Sequence, residues 1–182
     1  MDWIRFVSHT WTLFLDRDGV INERLSDDYV KSATEFNFLP GALESIHFFN
    51  QIFNRIIIVS NQQGIGKGIM TSKQLDSVHQ YMLSEIEKEN GHIDTIFICP
   101  QLATEPDNYR KPAPTMAFMA KEMYPEIDFS KSIMVGDTES DILFGKKTGM
   151  KTVLIGNEQI NLKADLNCNS LSEFAKILKN RG

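Results

Sequence analysis

Five short runs in this chain are apolar from end to end: Leu13-Phe14-Leu15, Ile56-Ile57-Ile58-Val59, Ile96-Phe97-Ile98, Ile133-Met134-Val135 and Val153-Leu154-Ile155. A strand with one wet face alternates apolar and polar residues, so runs without alternation belong to strands buried on both faces. That condition is met by a parallel sheet with helices above and below. The stretches between the runs supply the helices. Ala42, Leu43, Ile46, Phe49 and Phe53 follow helical spacing after Pro40-Gly41. Leu75, Val78, Met82 and Ile86 form a stripe in a helix expected over 71–89, with Thr71 as cap, Gln74 three residues on and Gly91 beyond the end. Short helices are expected from Pro114 to Glu122, from around Asp141 to a stop at Gly149, and from Ser170 to Lys179.

The first strand is expected over Thr12 to Asp16, and others at Thr95 to Cys99, Ser132 to Gly136 and Thr152 to Ile155. Residues 23–39 read as a long loop or short hairpin with a turn near Asp27-Asp28-Tyr29. Residues 100–113 read as a proline-containing loop, and the first ten residues as a loose or edge segment. Strands alternating with helices define an α/β, Rossmann-like, doubly wound and mainly parallel sheet. At 182 residues, with 42% hydrophobic and 24% charged residues and no repeat or linker, one domain over 1–182 is expected.

In such a sheet the ligand crevice lies beyond the carboxyl ends of the strands. The residues expected there are Asp16 and Asp18, Ser60 and Asn61, Lys111, Asp137 and Asp141. Several carboxylates at one rim repel one another unless a cation intervenes. Oxygen donors without nearby His or Cys favour a hard ion, with Mg2+ the usual choice beside phosphate. Asp16 then suits nucleophilic attack on phosphorus. Asp18, two residues on and on the same side of an extended chain, suits proton transfer. Ser60 and Lys111 suit the equatorial phosphoryl oxygens, Asp137 completes a metal shell, and Asp141 is placed to orient Lys111 or a metal-bound water.

In order along the chain, Asp-Arg-Asp-Gly-Val-Ile-Asn, Ser-Asn-Gln after a β-branched strand, Arg-Lys-Pro-x-Pro and Val-Gly-Asp-x-x-x-Asp resemble the four motifs of the haloacid dehalogenase superfamily. The resemblance spans roughly residues 12–156. With Phe38 to Ala42 and the loop from Ser60 to Gly68, it is nearest the branch of heptose bisphosphate and histidinol-phosphate phosphatases, whose cap is small or absent. It implies a Mg2+-dependent phosphatase with an aspartyl-phosphate intermediate. Asp16 is the implied nucleophile, Asp18 the acid/base, and Ser60 and Lys111 the phosphate binders. Asp16, Asp137 and the backbone carbonyl of Asp18 are the implied metal ligands, and Asn61 and Arg110 fall where the branch contacts substrate.

Two departures stand out. The branch often carries a zinc loop, but here only Cys99 keeps a cysteine, with Gln101, Asp107 and Tyr109 at the other three places, so no zinc is expected. Thr138 stands where a basic residue is expected after the metal acid.

The expected substrate is a small phosphorylated metabolite, foremost a heptose bisphosphate, with histidinol phosphate as the alternative. A phosphate-binding regulatory protein on the same fold is a rival of another class, opposed by the intact acid pair. Net charge −5 opposes nucleic acid as a partner. No run approaches a membrane span, and two cysteines make no disulfide framework, so a cytoplasmic location is expected. Gly64 to Gly68 fails as a nucleotide loop, because Gly68 stands where Ser or Thr is required. His9, His47, His79 and His92 make no metal spacing and read as structural or surface residues.

Overall fold

The computed structural model describes residues 2–26 and 28–181. Six strands form one parallel sheet: β1 (Thr12–Leu15), β2 (Arg55–Asn61), β3 (Thr95–Cys99), β4 (Ser132–Gly136), β5 (Lys151–Ile155) and β6 (Leu166–Cys168), in the order β3-β2-β1-β4-β5-β6. Five helices cover it: α1 (Ala42–Asn50), α2 (Ser72–Lys88), α3 (Thr115–Met123), α4 (Glu139–Thr148) and α5 (Leu171–Lys179).

The apolar runs sort by the pleat. Leu13, Leu15, Ile56, Ile58, Ile133 and Val135 join one core with α1, α2 and α5. Phe14, Ile57, Val59 and Met134 face the opposite way, against Met116, Ala117 and Ala120 of α3 and Phe144 of α4. Each such side chain contributes about 1.5–3 kcal/mol on burial, so the two-sided core explains why these strands carry no polar alternation.

Helix boundaries follow local chemistry. Thr71 Oγ1 accepts from Gln74 N at 3.2 Å while Gln74 Oε1 accepts from Thr71 N at 2.8 Å, a closed capping box at the start of α2. Gly149, with φ 83°, ends α4. Helix α1 stops at Asn50, earlier than the apolar spacing suggests, and Phe53 packs edge-on to Phe49 beyond its end.

Three expectations need correction. The amino-terminal segment is no loose edge: a 3-10 turn over Asp2–Phe6 buries Ile4, and Val7 and Trp11 join the same core. Asp16 lies just past β1 rather than in it, and Ser60 and Asn61 are the last residues of β2 rather than loop. Strand β6 was not read from the sequence. Three residues with Asn167 exposed between Leu166 and Cys168 make too short a pattern, and the strand is set by Asp165, whose carboxylate accepts from Thr152 N and Oγ1 at 2.9 and 2.8 Å.

Among the described residues the connections 16–41 and 100–114 hold at most one 3-10 turn (Ala33–Glu35), so neither carries a cap domain. The first closes like a hairpin, with Glu23 N donating to Asn37 O at 2.8 Å and Leu39 N to Ile21 O at 2.9 Å. Val30 and Phe36 anchor it in the core. Asp28 Oδ1 accepts from Tyr29 N at 2.8 Å, while Asp27, part of the expected turn, lies outside the described residues. No described helix is long and apolar enough to cross a membrane.

Candidate active site

Strand order reverses between β1 and β4, and at that point an α/β sheet opens a crevice beyond its carboxyl edge. Asp16 follows β1 and Asp137 follows β4. A cavity of about 550 Å3 lies there, and all seven residues expected at the rim line it, as does Arg110. Two glycines permit the approach. Gly19 has φ 87° and a Cβ there would collide with the Asp137 carboxylate; a Cβ on Gly136 would collide with Asp141.

The floor is a buried charge cluster. Lys111, 95 residues from Asp16 in the chain, donates from Nζ to Asp16 Oδ1 at 2.7 Å and to the Val59 carbonyl at 2.6 Å. It also lies 2.6 Å from Asp141 Oδ1, an ion pair whose angles fall short of a directed hydrogen bond. Burial disfavours its charge, but Asp141 and Asp16 outweigh burial and hold the ammonium above its ordinary value. Asn61 fixes the Lys111 backbone, accepting from its N–H at 2.8 Å and donating to its carbonyl at 3.0 Å. Its amide thus positions the lysine. Asp141 Oδ2 accepts from Thr138 N at 3.1 Å and Oγ1 at 2.6 Å, closing the first turn of α4.

One carboxylate oxygen each from Asp16, Asp137 and Asp141 lies within 4.8 Å of the others. Without a cation the acids disturb one another. Burial pushes Asp16 up to about 7 against the pull of Lys111, with Asp141, Asp137 and Asp18 adding to the rise. Burial and Asp141 push Asp137 up to about 6, with Arg24 opposing. Asp137 Oδ1 is buried with no hydrogen-bond partner. An all-oxygen donor set with an orphaned carboxylate oxygen fits a hard divalent cation. Both oxygens of Asp141 are already engaged, which leaves Asp16 and Asp137 as the freer donors.

Asp18 shares the cavity with Asp16, but it follows a bend at Arg17 beyond the end of β1, where it bridges to Asn22, and is not part of that strand. Arg17 Nη2 donates to both Asp18 oxygens at 2.8 Å, and Asn22 and Gln62 amides each donate at 2.9 Å. Burial favours the neutral acid, yet Arg17 and these hydrogen bonds more than offset it and hold Asp18 below the usual carboxylate range. Gln62 also donates to Ser60 Oγ at 2.9 Å, tying the phosphate-binding candidate to the acid.

Arg17, 1% exposed, and His79 were missed as site residues. Burial and Arg17 push the His79 imidazole down to about 4, so it stays neutral and its Nε2 accepts from Arg17 Nη1 at 3.2 Å. A charge between two acids in a strand-end motif was the available signal for Arg17. Nothing local marked His79, 62 residues away. Where the zinc loop would stand, Gln101 Oε1 accepts from Tyr109 N at 3.0 Å and faces Cys99 Sγ at 3.8 Å.

A family model described as HAD-hydrolase-like matches residues 108–170. The D-glycero-alpha-D-manno-heptose-1,7-bisphosphate 7-phosphatase of Mycobacterium bovis is 33% identical over 92% of this chain and 90% of its own. The D-glycero-beta-D-manno-heptose-1,7-bisphosphate 7-phosphatase of Helicobacter pylori is 31% identical over 92% and 96%. Among solved structures, the D,D-heptose 1,7-bisphosphate phosphatase of B. bronchiseptica with magnesium and phosphate superposes with a TM-score of 0.84 at 27% identity, covering 94% of this chain and 99% of that one.

Proposed function

The chain belongs to the haloacid dehalogenase-like phosphatases, and from that premise we propose that it hydrolyses one phosphate ester of a heptose bisphosphate through Asp16, with Mg2+ as cofactor. The observation that carries the reading is the Asp16 carboxylate, held by buried Lys111 at 2.7 Å beside the unpartnered Asp137 oxygen.

Asp16, Asp137 and the Asp18 carbonyl are the proposed Mg2+ ligands. Bound there, the ion would neutralise the carboxylates and would polarise a phosphoryl group set against Asp16. Asp16 attacks phosphorus as the bond to the ester oxygen breaks, and Asp18 delivers a proton to that oxygen. Asp18 rests ionised against Arg17, and an entering phosphate dianion raises its pKa by like-charge repulsion, which readies it as an acid. Asp18 then takes a proton from the water that cleaves the aspartyl-phosphate, releasing inorganic phosphate and restoring Asp16. Lys111 and the Ser60 hydroxyl bind the equatorial oxygens, with Lys111 held in place by Asn61 and Asp141.

The substrate class is supported by relatives that carry both anomeric names. A cytoplasmic location, where phosphorylated sugars are made and used, belongs to the same proposal.

Phosphate release from heptose 1,7-bisphosphate with Mg2+ tests it. The wild type releases one equivalent, and Asp16→Asn is slower by at least about 10³-fold. No release by the wild type, or undiminished release by the variant, would sink the reading.

A further inference from the structure

The catalytic floor does not use all the positive charge at this site. Lys111, engaged with Asp16, the Val59 carbonyl and Asp141, serves the transferred phosphoryl group, while Arg24, Lys67 and Arg110 line the same cavity. Its volume of about 550 Å3 is in the range that takes a whole small molecule rather than one phosphoryl group. Lys67 lies 5.5 Å over the Tyr29 ring, and Arg110 keeps a buried Nε with no hydrogen-bond partner. The remaining guanidinium, Arg24, reaches across from the loop after β1. Its Nη1 lies 3.2 Å from Asp137 Oδ2 and 3.6 Å from Glu158 Oε2. That places a cation against Asp137, the residue before Thr138, in the cavity both Arg24 and Thr138 line.

We propose that Arg24 is the specificity residue for the second phosphoryl group of a bisphosphate substrate, supplying from the β1–α1 loop the cation that the position after Asp137 lacks. This rests on the bisphosphate reading given above. Guanidinium matches phosphate oxygens in bidentate geometry, and Arg24 is 53% exposed, so its present partners hold it weakly and a phosphate displaces them. A cation held through the unpartnered Asp137 Oδ1 would weaken the pull of that carboxylate on Arg24, which contacts Oδ2. The other acids on the cavity wall are Glu158, Glu139 and Asp28, of which Asp28 is already bound by Lys31 at 2.6 Å.

The deciding quantity is preference for heptose 1,7-bisphosphate over the same heptose carrying only the 7-phosphate. It is read as a Kd ratio in Mg2+-loaded Asp16→Asn protein, where turnover is blocked, with and without Arg24→Ala. A fall of fivefold or more supports the assignment, and a smaller fall overturns it whatever happens to absolute affinities. In the catalytically competent protein the same preference is lost through KM, and Arg24→Lys retains part of it. A Mg2+ titration of Arg24→Ala that shows weakened metal binding with the preference intact makes Arg24 a metal-site residue and also overturns the assignment. A wild type that cleaves p-nitrophenyl phosphate but not the bisphosphate sinks the substrate reading and this inference together. A wild type that cleaves the bisphosphate with an unmoved preference in Arg24→Ala sinks only the role of Arg24.

Discussion

The floor of the crevice and its wall carry the same kinds of charge under opposite conditions. On the floor, the Lys111 and Asp141 side chains are each 2% exposed, and every bond they make comes from a strand end or the first turn of a helix. On the wall, Arg24 and Glu158 are 53% and 47% exposed and stand on loops. A buried pair that loses one partner leaves an uncompensated charge, whereas an exposed pair falls back on water. On the proposed roles, chemistry is built where geometry is costly to change, and recognition where it is cheap.

The largest expected effect on that contrast, after the loss of Asp16, is at Asp18. Asp18→Asn lowers turnover by about 10²–10⁴-fold while Mg2+ affinity stays nearly intact, because the proposed metal contact is the backbone carbonyl. Isothermal titration beside steady-state kinetics checks both halves, and a parallel loss of metal binding would contradict the division of labour.

Next in size is a stability effect. Asp141→Ala destabilises by about 3–5 kcal/mol in a urea titration, since it strips a partner from buried Lys111 and opens the α4 capping box. Asp28→Asn, which breaks an exposed pair with Lys31, leaves the midpoint unmoved in the same titration. Equal midpoint shifts would erase the distinction between floor and wall.

The smallest effect is the most diagnostic of the metal site. Asp16 and Asp137 are raised from 3.8 to about 7 and about 6, so their contribution to stability is present below pH 3.8 and is lost as pH rises through those values. The metal-free protein should lose this contribution between roughly pH 4 and 7. Mg2+ should restore it, raising the melting temperature by a few degrees at pH 7.5 and by less at pH 5. Thermal melts with Mg2+ and with EDTA at both pH values measure the difference. A Mg2+ effect independent of pH, or equal in Asp137→Asn, would place the ion elsewhere.

Much of the fold was legible because its signals are local. The β-branched run Ile56–Val59, the Thr71–Gln74 box and Gly149 each report on neighbours within a turn or a strand. The misses share one cause. Ile4, Val7 and Trp11 have no period of their own and are ordered by a core made elsewhere. β6 depends on a side-chain clasp between Thr152 and Asp165, and His79 matters only because α2 lays it against Arg17. At the site, the residue types were readable but their duties were not. Asn61 was expected at the substrate; it lines the cavity, and its amide also grips the Lys111 backbone.

By itself the sequence determined which chemistry is available, since residues after each apolar run must emerge at one edge of a parallel sheet. Tertiary structure alone decided which charges meet. Strand order put β1 against both β2 and β4, bringing Asp16 to Lys111 and to Asp137 across spans of chain where no local pattern operates. The pKa of each acid depends on burial and on distances through space. Those arise only once the sheet is assembled.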